Sequence, residues 1–255
     1  MAAKLPNMKG SSWNFRTFVS RSYRFRILMN IRWKLAQFWE IRWWRWYLQH
    51  KDKTVYLQKK AAYWEKILAS CELELTGAEA ILDAGCGPAG IFMILDGSPL
   101  IAVDPLLKKY QSQLDHFNPT DYPKVQFEAI SLEEFEPVQS LDIIFCCNVI
   151  NHVADLQLSL DRICAWLKPG GTLLLSIDVH NHKVLKQIFR LIPGDILHPH
   201  QHDLTDYQDM LRERGLRIEK TTQLKRGNIF DYYLIKAISP FKVLTSPLVS
   251  STSNQ

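Results

Sequence analysis

No stretch of the 255 residues is long and apolar enough to span a bilayer, because Arg32, Lys34, Glu40, Arg42 and Arg45 interrupt the most hydrophobic N-terminal run. The five cysteines, Cys71, Cys86, Cys146, Cys147 and Cys164, show no CxxC spacing and are odd in number. A disulfide framework and a Cys-based zinc site are therefore disfavoured, and a reducing, cytoplasmic setting fits. Internal repeats and long low-complexity tracts are also missing, which removes solenoid and fibrous architectures. Residues 1–39 contain no acidic side chain at all. That composition, rich in Arg and Ser, is also the composition of an organelle-targeting segment.

Charge of one sign is scarce at the front and in excess behind it. Residues 1–60 carry fourteen Lys and Arg against only Glu40 and Asp52, so the remainder of this +5 chain is net acidic. Seven of the eight tryptophans also lie within the first 64 residues. Three readings compete for residues 1–50: a helical lid packed on a catalytic domain, a segment lying on an anionic membrane surface, and, less favoured, a nucleic-acid contact. On a helical wheel the aromatics of 31–48 surround the cylinder without a clean polar face, which favours burial against something.

What is present in the middle of the chain is more specific. Ile81-Leu82-Asp83-Ala84 runs into Gly85-Cys86-Gly87-Pro88-Ala89-Gly90, and a second apolar strand ends at Asp104, nineteen residues after Gly85. An apolar strand, a glycine turn and a second strand closing on a carboxylate describe a nucleotide-cofactor site at the carboxyl end of a parallel sheet. Read literally, G-x-G-x-x-G is the dinucleotide fingerprint, with a pyrophosphate at the following helix N-terminus. Asp83 argues against it, since a carboxylate beside that turn repels a pyrophosphate in a partly desolvated cleft. S-adenosylmethionine carries an ammonium and a sulfonium and no phosphate, so the same carboxylate favours it. Asp104 can hold a ribose diol in either case. Cys86 reads as a small residue that fits the turn rather than as a nucleophile.

Apolar runs near 80–84, 100–104, 125–129, 141–147 and 171–178 alternate with helical stretches near 106–116 and 154–167, and a short helix stops near Asp96-Gly97. That alternation predicts a mostly parallel sheet. Thr205 and Gln208 have the spacing of a capping box for a helix ending at Gly215, and two closing strands follow over 216–224 and 229–238. The expected division is a basic, Trp-rich helical extension over 1–52, a catalytic domain over 53–238, and a loosely held Ser/Thr-rich tail over 239–255.

The chain resembles the class I S-adenosylmethionine-dependent methyltransferases, small-molecule branch, on four segments in order. Asp83-x-Gly85-x-Gly87 is similar to the first motif, and Val103-Asp104-Pro105 to the ribose-binding strand end. Leu141 to Val153 is similar to the fourth strand and its entry to the active site, and Leu167 to Leu175 to the turn into the fifth. The resemblance implies an α/β, doubly wound, Rossmann-like sheet, mostly parallel and seven-stranded with an antiparallel edge strand. It implies S-adenosylmethionine held by Asp83, Gly85, Cys86, Gly87, Asp104, Pro105, Ser131, Leu132 and Asn148. One position departs from the pattern: Ala129-Ile130-Ser131-Leu132 lacks the acidic residue often found after the third strand. The Pro-Pro-aromatic clamp of the nucleic-acid amino-methylating branch is also missing after Asn148.

Methyl transfer needs an acceptor held in line with the donor in a dry pocket, and a base where the acceptor carries a proton. His152, following the fourth strand, is the best-placed base, the alternative being a helix-start residue with a backbone role only. His202 is a second candidate. His180, His198 and His200 belong to a His-rich region that is expected to line the acceptor pocket in preference to binding metal, the alternative its alternating spacing also allows. The expected function is methyl transfer to a small, lipophilic or aromatic acceptor, with an anionic membrane surface as a further partner that residues 1–50 allow. The rivals are an RNA methyltransferase using the basic segment, a non-catalytic S-adenosylmethionine-binding partner protein, and a nicotinamide oxidoreductase.

Overall fold

The computed structural model describes residues 33–97, 99–180, 202–227 and 230–241. Helix α1 covers 33–48 and α2 Lys53–Ser70. They are followed by β1 (Ile81–Ala84), a 3-10 turn (Ile91–Ile94), β2 (Leu100–Val103), α3 (Leu107–Gln113) and β3 (Val125–Glu128). Then come β4 (Leu141–Cys147), α4 (Leu156–Trp166), β5 (Leu167–His180), α5 (Leu204–Glu213), β6 (Arg217–Lys225) and β7 (Phe230–Ile238).

The seven strands lie in the order β3-β2-β1-β4-β5-β7-β6. The first five are parallel, and β7 runs antiparallel to both β5 and β6. Every residue of β1 and β2 is buried. Central parallel strands are covered on both faces, so they read as unbroken apolar runs rather than as alternations. Helices α4 and α5 cover one face through Leu160, Ile163, Tyr207 and Leu211. The other face is covered in two patches. Trp64 and Ile67 of α2 pack over Ile81, Ile143 and Phe145, while Ile41 and Leu48 of α1 share a cluster with Ala102, Leu106, Leu107 and Tyr110. The sheet is therefore doubly wound, and the described part of the N-terminal extension contributes to one of its cores.

Two local expectations are corrected. The segment after β1 is a four-residue 3-10 turn ending at Ile94 rather than a helix reaching Asp96-Gly97. Pro88 and Gly90 spend six residues on the turn itself, which leaves too little chain to propagate a helix before β2. Helix α5 starts two residues earlier than expected, with the reciprocal capping box formed by Asp203 and Asp206. The Asp203 N–H donates to Asp206 Oδ2 at 2.9 Å. Gln208, expected to reach back to the cap, instead donates to Thr221 Oγ1 on β6 at 3.0 Å. Starting at Leu204 lets that side chain pack on the core, and aspartate is at least as good a cap as threonine.

Candidate active site

The carboxyl ends of β1, β2 and β4 meet at the glycine turn. Gly85 takes φ +69° and Gly87 φ +58°, the left-handed region in which glycine carries no Cβ penalty. The amides of Gly85 and Cys86 both donate to Val103 O, at 2.7 and 3.0 Å, which ties the turn to the end of β2. From the other side, the Trp64 indole N–H of α2 donates to Ala89 O at 2.9 Å. A Cβ on Gly90 would overlap the Asp83 carboxylate, so Gly90 has to lack one. A Cβ on Gly87 would meet nothing within 4 Å, which leaves the turn open on that side.

Two carboxylates face this turn. Asp83 is 2% exposed and Asp104 7%. Asp83 Oδ2 accepts from the Phe92 N–H at 3.0 Å. Asp104 accepts from the Gly87 N–H at 3.0 Å and the Leu106 N–H at 2.8 Å. Burial pushes the Asp83 carboxyl up to about 7 even though the Phe92 and Ile91 amides oppose the shift. Asp104 is pushed up by burial first and by the Glu40 carboxylate second. Two buried acids starved of a counter-charge suit a cationic guest carrying hydroxyls, and repel a pyrophosphate. The open side at Gly87 and this donor set fit S-adenosylmethionine.

Asn148 closes β4 in the left-handed region, φ +60°, which is unusual for a residue with a side chain. With its amide nitrogen turned toward Asp178 it donates to both carboxylate oxygens, at 3.2 and 3.1 Å. Ser131 and Leu132, after β3, are buried, and Pro105 follows Asp104 into the α3 turn. Cys86 is buried in the turn and its thiol is pushed well above the usual range, chiefly by burial, so its thiolate is scarce.

His152 is half-buried in the turn between β4 and α4, four residues before that helix, and its N–H donates to Val149 O at 2.8 Å. The His202 ring lies edge-on to Tyr207, 5.6 Å between centroids, with Nδ1 3.8 Å from Asp206. Tyr207 in turn donates to Asn151, the neighbour of His152. One buried tyrosine thus links the segments carrying the two candidate bases. The His180 side chain, His198 and His200 fall outside the described residues. Among the described residues no group of three or more His, Cys, Asp or Glu could hold a metal.

Sequence reasoning missed Glu40 of α1. Its Oε1 accepts from the Tyr110 hydroxyl at 3.0 Å, and Tyr110 is fully buried. Burial pushes the Glu40 carboxyl up, against hydrogen bonds from Tyr110 and Trp44. A signal existed: Glu40 is the sole acid among the first 51 residues. Tyr63 of α2 was missed too. It stands half-exposed, and its hydroxyl is pushed up by burial and then by Cys147, Asp178 and Tyr232.

The methyltransferase-domain family matches residues 56–221, well over half of the sequence. The chain belongs to the class I S-adenosylmethionine-dependent methyltransferases. It is similar to the mitochondrial ubiquinone biosynthesis O-methyltransferase of Homo sapiens, 32% identical over 38% of this chain and 28% of the relative. The chain matches under half the length of the curated relatives it resembles. The YcgJ protein of Bacillus subtilis has the same fold, with TM-score 0.56 and 16% identity over 69% of this chain and 97% of its own. The N-methyltransferase NodS of Bradyrhizobium japonicum, in complex with S-adenosylhomocysteine, has TM-score 0.50 and 15% identity over 76% and 91%.

In this methyltransferase Glu40 raises the Asp104 carboxyl, so a donor held by Asp104 would feel the Glu40 charge. Removing its charge takes away the second cause of the raised Asp104 carboxyl. Glu40→Gln is therefore expected to extend tight donor binding toward lower pH, by several-fold below neutrality. Donor titration calorimetry across pH checks it, and an unchanged profile refutes the coupling.

Proposed function

We propose that this methyltransferase binds S-adenosylmethionine at the β1–β2 strand ends and methylates a small, lipophilic or aromatic acceptor, at oxygen. The observation that carries the donor assignment is the pair of buried carboxylates, Asp83 and Asp104, flanking an open glycine turn. Asp104 would accept from the ribose hydroxyls and Asp83 would face the cationic end. Cys86 and the Gly85 and Gly87 backbone would line the turn. Ser131 and Leu132 would flank the adenine, Pro105 would shape the pocket wall, and Asn148 would meet the amino group. When bound, the donor supplies a methyl on a sulfonium, already an excellent leaving group. The chain has to align the acceptor and exclude water.

The acceptor proton goes to a base as the O–CH3 bond forms and the S–CH3 bond breaks. We assign His152 to that role, with His202 in support through Tyr207, and His180, His198 and His200 to the acceptor pocket. The oxygen acceptor is supported by relatives named ubiquinone biosynthesis O-methyltransferases, and its aromatic character by the half-exposed Tyr63, on which Tyr232 bears. Residues 53–238 are assigned as the catalytic domain, 1–52 as its cover, and 239–255 as a tail outside the chemistry.

The test is methyl transfer from labelled donor to a prenylated catechol, to catechol itself and to RNA. Transfer to the prenylated compound with His152→Ala lowering kcat roughly 10²- to 10⁴-fold supports the reading. Donor binding without turnover on any acceptor would return the chain to a binding role, and transfer to RNA alone would overturn the small-molecule reading.

A further inference from the structure

The aromatics of α1 divide into two faces, which reconciles the wheel pattern with the packing. Ile41 and Leu48 are buried in the core, Trp44 and Tyr47 pack against the same cluster, and Glu40 is bonded to Tyr110. The helix is therefore pinned by one side and cannot roll. Its other side carries Leu35, Phe38, Trp39, Trp43 and Trp46, exposed by 45, 49, 51, 46 and 66%. These recur three, four and one residues apart and form one outward stripe roughly 16 Å long, from eleven steps of about 1.5 Å. Arg42 lies within the stripe with its guanidinium over the Phe38 and Trp39 rings, at 5.6 and 5.8 Å. Lys34 and Arg45 flank it on the same helix.

Beside the stripe opens a groove of about 1170 Å³ to which Trp39, Trp43, Trp46, Arg42, Arg45 and Lys51 contribute. Lys53 there pairs with Asp121, and Asp52 caps α2, so those two charges are spent within the protein. Asp115 is the other acid at the groove. Exposed tryptophans with cations between them suit a phospholipid headgroup layer, where the ring is half-wetted and Arg or Lys meets anionic phosphate. No described helix is long and apolar enough to cross a membrane.

We infer that the outward face of α1 docks this protein on an anionic lipid bilayer, lying flat in the headgroup zone. Charge complementarity selects that occupant. The stripe and its flanks carry cations and no acid, and residues 1–32 add seven Lys and Arg with none opposing. Leu35 favours lipid over RNA, because an aliphatic side chain offers a base neither stacking nor a hydrogen bond. The inference stands on α1 and on the charge of the residues before it, and is independent of which acceptor is methylated.

Co-sedimentation of the full chain with vesicles decides it. Phosphatidylcholine vesicles containing phosphatidylglycerol should pellet the protein, and phosphatidylcholine alone should not. Raising salt should weaken the pelleting as the screening length shrinks from ~10 Å toward ~3 Å. Trp39→Ser/Trp46→Ser should bind anionic vesicles at least about tenfold more weakly. Those two rings are chosen because Trp43 stacks on Tyr47 at 4.8 Å and supports the fold. Thermal protection by S-adenosylhomocysteine should be the same in variant and parent, which separates loss of docking from loss of folding. Equal pelleting of the variant, or no pelleting of the parent, overturns the inference. So does a dimer that the double variant dissociates, since a second copy would then cover the stripe. Single-stranded RNA bound in preference to anionic vesicles overturns it as well.

Discussion

Asp83→Asn is expected to weaken S-adenosylmethionine binding roughly a hundredfold, with a smaller loss for S-adenosylhomocysteine, which lacks the sulfonium charge. Asparagine keeps an oxygen for the Phe92 N–H that Asp83 accepts at 3.0 Å. It removes the charge, and a charge-assisted contact in a dry site is worth ~2–3 kcal/mol. The pH dependence follows from the same burial. Asp83 goes from an ordinary 3.8 to about 7 in the folded chain. A carboxyl raised in this way contributes stability that is fully present below about 4 and is lost as pH climbs through 7. Donor binding runs the other way, because a cation needs the ionised form. Donor affinity should therefore climb as pH rises toward 7, by up to about tenfold per unit for each carboxyl involved, and then level off. Asp83→Asn should remove one proton from that slope. Calorimetric titration of both ligands from mildly acid to mildly alkaline pH checks all of this. Unchanged donor affinity in the variant, or tight NADH binding by the parent, would sink the assignment of Asp83.

The strand-and-turn frame of the candidate donor site was legible in the sequence because its determinants are local. Asp83, Gly85, Gly87 and Asp104 lie on two neighbouring strands and one turn, and strands buried on both faces advertise themselves as apolar runs. The α5 start was misplaced by two residues because Thr205/Gln208 and Asp203/Asp206 satisfy the same local rule. Only contact with Leu204 and Thr221 selects between them. Glu40 and Tyr110 stand seventy residues apart, so no window of sequence pairs them. The same holds for α1. Its aromatics encircle the helix, and which of them face inward is decided by β2 and α3, not by the helix itself. The proposed acceptor side was the least legible, since its pattern rested on histidines scattered over separate segments. Of these, the segments that carry His152 and His202 are joined through the Tyr207–Asn151 hydrogen bond.

The glycine turn supplies the second large effect, and two of its glycines should fail for different reasons. Gly85→Ala places a Cβ at φ +69°, which costs roughly 1–2 kcal/mol for an L side chain. That Cβ would also overlap both Val149 methyls and stand 2.8 Å from Val149 Cβ, so the turn or β4's exit must shift. Such overpacking adds about 1–3 kcal/mol. The variant should melt roughly 5–15 °C lower at ~2–4 °C per kcal/mol for a chain of this size, and should bind donor poorly. Val149→Ala in the same chain should relieve the overlap with the two methyls and leave the 2.8 Å Cβ–Cβ contact and the backbone strain. Gly87→Ala tests the other half. Its φ is +58°, but a Cβ there meets nothing within 4 Å, so only the strain of about 1–2 kcal/mol is paid in stability. If the donor lies across that open side, the added methyl occupies its space, and affinity should fall at least about tenfold in a protein that remains well folded. Stability lost with affinity at Gly85, and affinity lost largely alone at Gly87, is the pattern a close-fitting donor requires. Full donor affinity in Gly87→Ala would mean that the donor does not approach the turn there.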